Sequence, residues 1–211
     1  PGAENVHRAP ENFTLGEAIH TTSFWLLAAS WGIVMFSMAM MITHTVAYLL
    51  DMGIEIGVAA TIFSLLPGMS IVGKLGAGFL GLRINTRLLA LGAVALMAIA
   101  MAILVFTKYL PLIVAGAVLL GLGFGAALTS FLDCFPSFFG PKNNAKVIGT
   151  SLPITMLLGG IGAPFAGFFF DFSGSYMIPF STVIVLLVVA LVCLLTARRP
   201  SLPSTRAYSE A

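Results

Sequence analysis

Charge is scarce in this chain: lysine, arginine, aspartate and glutamate together make up 9% of its 211 residues, against about a quarter in an ordinary soluble domain. So few charged side chains cannot clothe a water-exposed surface, which excludes a soluble globular protein. The ten basic residues are spread thinly and exceed the acidic ones by only two. No basic patch for nucleic acid follows from that distribution. Two cysteines, Cys134 and Cys193, and three histidines are too few for a disulfide framework or a cysteine and histidine metal cluster. No nucleophile stands beside a base and no phosphate loop occurs, so an enzyme is not expected. The stretch "GLGFG" from Gly121 to Gly125 follows no strand pattern and lies in an apolar run, so it reads as helix packing and no cofactor is assigned.

What the chain has in place of charge is apolar length. Hydrophobic residues make up 59% of it, and its mean hydropathy is +1.05. Six runs, near 24–50, 54–81, 88–107, 110–132, 147–170 and 177–196, are each long enough to cross about 30 Å of hydrocarbon as a helix of about 20 residues. A polar loop, "CFPSFFGPKNNAK", separates the fourth from the fifth, and its Gly140-Pro141 and Asn143-Asn144 are turn formers. The expected organisation is a linker over 1–23, a six-helix membrane domain over 24–197 and a polar tail over 198–211.

An even number of spans places both termini on one side, and the basic residues say which. Arg8, Arg83, Arg87, Lys142, Lys146, Arg198, Arg199 and Arg206 fall on the side of the termini, and Lys108 alone on the other. Both termini are therefore expected to be cytoplasmic, in a multi-pass protein of the plasma (inner) membrane. Cys134 and Cys193 then face a reducing compartment. The opening residues contain no apolar core of a signal peptide, and the first residue is Pro1 rather than methionine. The chain is expected to begin part-way through a longer protein. The tenth basic residue, Lys74, belongs to neither face.

Lipid gives helices no hydrophobic reason to associate, so close approach at small residues must hold them together. Gly121 and Gly125 form one such pair, Gly159, Ala163 and Gly167 a second stripe, and Gly73, Ala77 and Gly78 a third. Pro67, Pro153 and Pro164 lie inside spans, where each removes a helix hydrogen bond. The helices they kink are expected either to line a cavity or to be static bends satisfied by neighbours.

At this point the residues resemble a known family. "FWLLAASWGIVMFSMAMMITHTVAYLLDMGI", with His44, Tyr48 and Asp51-Met52-Gly53, followed by "GKLGAGFLGLRINTR", is similar to the seventh and eighth helices of a major facilitator superfamily transporter. The branch resembled contains the monocarboxylate transporters and oxalate:formate antiporters. "FFGPKNNAKVIG" resembles the segment between helices 10 and 11 of that branch, and "GAPFAGFFFDFSGSY" the end of helix 11. The resemblance covers 24–200 and implies helices 7 to 12 of a twelve-helix carrier, a half-bundle of two inverted three-helix repeats. Leu82 stands where the family's Gly-x-Leu-x-Asp-Arg motif has its acid, leaving Gly78, Arg83 and Arg87 as the residues of that gating loop. Ser70 stands where monocarboxylate carriers have an acid, and 148–170 contains no basic residue where oxalate exchangers have one. These departures turn the expectation toward a monoanion or a neutral solute.

Lys74 lies seven residues before the end of its span, about 10 Å into the membrane at 1.5 Å per residue. An unpaired lysine near a helix centre costs roughly 2.5–3.5 kcal/mol on insertion scales. It is expected to face a cavity and attract a carboxylate, the alternative being a side chain that snorkels to the surface. His44 lies one turn from Tyr48, so the two share a face. Either His44 binds substrate or a coupling proton, or it is a satisfied group between helices. The resulting expectation is an all-α integral membrane half-transporter with no metal or other cofactor. It would move a small organic anion such as a monocarboxylate by alternating access, through symport or antiport, in partnership with an N-terminal half and the lipid bilayer. A transporter-like scaffold or sensor is the alternative.

Overall fold

The computed structural model describes residues 12–200. Arg8 and Arg206, with the rest of 1–11 and 201–211, lie outside the described residues. A short helix, α1 (Leu15–Ile19), precedes α2 (Thr22–Asp51), α3 (Ile56–Gly81), α4 (Thr86–Phe106), α5 (Leu110–Phe139), α6 (Asn144–Ser173) and α7 (Met177–Thr196). The six from α2 to α7 are long and apolar enough to cross a membrane. They correspond to the six expected spans. Their connections alternate between a terminal end, at 82–85 and 140–143, and a far end, at 52–55, 107–109 and 174–176.

One expected boundary is corrected. The loop beginning at Cys134 is helical as far as Phe139, because Phe131, Phe135, Phe138 and Phe139 are buried and pull the extra turn onto the bundle. Pro136 is tolerated within that turn, which then stops at Gly140, whose φ of 84° a side chain would resist. The segment before α2 is docked on the bundle: Phe13 is 2% exposed, donates its N–H to the Phe139 carbonyl at 2.9 Å, and its ring meets that of Phe139 edge-on. Asn143 Nδ2 donates to the Phe13 carbonyl at 2.8 Å. Thr14 and Glu17 form a reciprocal capping box on α1.

The packing has an internal symmetry. Exchanging α2, α3 and α4 for α5, α6 and α7 maps the main contacts onto themselves: α3 packs chiefly on α5 and α6 on α2, while α4 lies on α5 and α7, and α7 on α2 and α4. Because each repeat contains three spans, the second enters the membrane in the opposite sense to the first. An all-α bundle of two inverted three-helix repeats results. Helices α3 and α6 have little contact with α4 and α7, and each flanks the α2–α5 pair away from them.

Glycines set both long interfaces. A Cβ at Gly121 would lie 2.5 Å from the Leu66 carbonyl, and one at Gly125 or Gly73 would collide with the carbonyl of Ser70 or Leu122. The α3 and α5 backbones are thus nearly in contact. On the other side, a Cβ at Gly159 would come 3.0 Å from Met35 Cβ, and one at Gly162 would strike the Phe36 carbonyl. Ala77 is buried with Gly73, but Gly78 is exposed with open space where its side chain would be. It turns away from the α3–α5 seam that the sequence pattern had assigned it to, because it lies five residues, about 140° around the helix, from Gly73.

Candidate functional site

α2 carries its histidine where three elements meet. His44 Nε2 lies 3.0 Å from the carbonyl of Ala163 on α6, and Nδ1 lies 3.2 Å from the hydroxyl of Tyr176 at the start of α7. A carbonyl can only accept, so Nε2 carries the proton. In the neutral ring Nδ1 then accepts from the Tyr176 O–H. Gly167, one turn beyond Ala163, faces the ring: a Cβ there would stand in ordinary contact, 3.9 Å from His44 Cε1.

Tyr48, one turn on, donates its hydroxyl to the Leu104 carbonyl of α4 at 2.7 Å. Its ring packs on Phe180 at 4.5 Å and meets Tyr176 edge-on at 6.2 Å. Tyr176, 6% exposed, stacks on Phe170 at 4.4 Å. Burial pushes the Tyr176 phenol above its ordinary pKa, and the Asp51 and Asp171 carboxylates push it the same way. His44 and Tyr48 therefore do converge, and Tyr176 is what joins them. That tyrosine ends the "GSY" stretch, where nothing in the local pattern marks it; its contact with α2 does.

Lys74 is elsewhere. It is exposed on α3, seven residues before the terminal end of the helix, whereas His44 is seven residues before the far end of α2. At 1.5 Å per residue the two are separated by roughly 15 Å or more along the bundle. Among the described residues the Lys74 side chain has no hydrogen bond or ion pair. Pro67, Ile71, Lys74 and Gly78, spaced by four, three and four, share one exposed stripe. Pro153, Gly160 and Pro164 are likewise exposed on α6. Helices α3 and α6 thus each leave a face uncovered, in contrast to the buried Gly121 and Gly125 of α5.

Of the gating-loop candidates, Arg83 is exposed, while Arg87 is committed to the fold. Its Nε donates to the Leu194 carbonyl at 2.9 Å and its Nη2 to that of Leu195 at 2.5 Å. A guanidinium thus satisfies carbonyls that the last turn of α7 leaves open. Trp25 is 53% exposed, whereas Trp31, 5% exposed, packs on Phe131.

No curated protein matches the chain. Its fold resembles that of a solved structure, the POT family transporter PepTSo, with a TM-score of 0.70 at 18% identity, over 86% of this chain. The chain spans only 38% of that transporter's length. The model of the Major Facilitator Superfamily matches residues 21–210. With that match covering all six spans, the chain belongs to the major facilitator superfamily.

Proposed function

We propose that this chain forms the C-terminal six helices of a secondary transporter that carries a small organic anion, such as a monocarboxylate, by alternating access against an N-terminal half. The observation that carries this reading is Lys74, a full charge within a span that no group of its own bundle neutralises. Lipid is a costly neighbour for it, by roughly 2.5–3.5 kcal/mol. Its face of α3 therefore meets water or protein, and an ammonium in a cavity recruits a carboxylate. The superfamily match and the transporter fold support carriage across the membrane in place of catalysis.

Arg83, Arg87, Lys142, Lys146, Arg198 and Arg199 lie at the terminal end and Lys108 at the far end. That bias supports cytoplasmic termini in a plasma or inner membrane. His44 is held at both nitrogens within the bundle, which favours a role in holding α2 to α6 over direct substrate contact. Proton coupling remains compatible with that geometry: a protonated ring donates from both nitrogens, and the Tyr176 oxygen accepts.

Uptake of a radiolabelled monocarboxylate into proteoliposomes, by the full-length protein and its Lys74→Ala variant, tests the proposal. Loss of uptake in the variant supports it. Equal kinetics in both proteins remove Lys74 from the mechanism, and a correctly inserted full-length protein that moves no solute favours a scaffold or sensor.

A further inference from the structure

The far end of the bundle holds a cavity of about 490 Å3 between the last turns of α2 and α4 and the α6–α7 connection. That volume is in the range of small-molecule sites, about 300–1,000 Å3. Tyr48, Phe106, Phe170 and Tyr176 supply aromatic wall, and Asp51 and Lys108 bring one carboxylate and one ammonium. These two opposite charges line one pocket, yet neither side chain has a hydrogen bond or ion pair among the described residues. No residue of α3 or α5 lines it, so it is separate from the face that carries Lys74.

We infer that this pocket binds a small zwitterionic solute with an apolar body, of the amino-acid class. The solute's ammonium is placed against Asp51 and its carboxylate against Lys108, which it bridges where the protein's own groups do not meet. Its apolar body lies on the aromatic wall, where a cation also gains from the ring faces. A purely anionic or purely cationic ligand satisfies one charge and leaves the other unmatched. Because Tyr176 is both wall and the hydrogen-bond partner of His44, occupancy bears on the link between α2 and α6. The site is independent of the anion proposed for Lys74.

Calorimetric titration of the full-length protein in detergent with L-phenylalanine, phenethylamine and 3-phenylpropionate tests the inference. L-phenylalanine is expected to bind more tightly than either single-charge analogue. Asp51→Asn should weaken L-phenylalanine and phenethylamine by about two- to fivefold, the range of an exposed ion pair, and leave 3-phenylpropionate unchanged. Lys108→Gln should weaken L-phenylalanine and 3-phenylpropionate and spare phenethylamine. Both side chains are exposed, so these variants keep the fold. Absence of L-phenylalanine binding, binding indifferent to both substitutions, or binding abolished by Lys74→Ala would each overturn the assignment.

Discussion

His44 and Tyr176, 132 residues apart in the chain, share a hydrogen bond of 3.2 Å that ties the far half of α2 to the head of α7. The other ring nitrogen reaches α6, so one imidazole joins three helices. Replacing Tyr176 by phenylalanine keeps its stack on Phe170 and deletes only the hydroxyl. The expected cost is about 0.5–1.5 kcal/mol in unfolding free energy, read by thermal or denaturant melting in detergent. A variant as stable as the parent would mean that the bond contributes nothing.

The same phenol makes a pH prediction. Its pKa is raised in the folded protein by burial and then by Asp51 and Asp171. For such a group the neutral form is favoured by folding, so its contribution is intact below the unfolded value of about 10 and declines as pH rises above it. The parent should lose stability above about pH 10 more steeply than Tyr176→Phe. Parallel curves would show that the shift carries no stability.

Gly125 and Gly78 form a matched pair for testing packing. A methyl at Gly125 collides with the Ser70 carbonyl, while one at Gly78 meets open space. Gly125→Ala should destabilise by about 1–3 kcal/mol, the cost of overpacking. Gly78→Ala should leave melting unchanged or raise it slightly, since alanine is the better helix former. A reversal of that order would contradict the α3–α5 seam.

Arg87 fastens α4 to the end of α7 through two carbonyls. Arg87→Ala should cost about 1 kcal/mol of stability, and Arg87→Lys should recover only part of it because an ammonium lacks the guanidinium fork. Arg83→Ala, at an exposed side chain with no partner among the described residues, is expected to melt like the parent. Equal effects at the two arginines would discount the tie.

A face that meets water differs from one that meets lipid in its chemistry with thiol reagents. In the full-length protein lacking Cys134 and Cys193, a cysteine introduced as Lys74→Cys should react with a membrane-impermeant maleimide. Val188→Cys, on the exposed aliphatic face of α7, should not. Failure of the Lys74 position to react would show that this stripe of α3 is closed to water.

Much of the architecture was legible because a bilayer imposes a crude rule: each span must satisfy its own backbone and present about 20 apolar residues. The runs around α2, α3, α4 and α7 announce themselves in that way. The rule says little about where a helix stops once it leaves lipid. The turn at Cys134–Phe139 therefore reads as loop, though three buried phenylalanines, Phe135, Phe138 and Phe139, fasten it to the bundle. Phe13 was hidden for a similar reason, since its pocket is assembled from Phe139 and the α5–α6 connection.

Composition and spacing by themselves determined the six spans, the bias of basic residues toward one end, the small-residue seam at Gly121 and Gly125 and the isolation of Lys74, because each is a property of one helix against its solvent. Tertiary structure alone decided that Gly78 faces outward while Gly162 packs, that Arg87 serves α7, and that Tyr176 completes the pair of His44 and Tyr48. Those outcomes depend on which helix lies beside which and at what rotation. Hydrophobic length is blind to both, since lipid and a neighbouring helix are equally apolar.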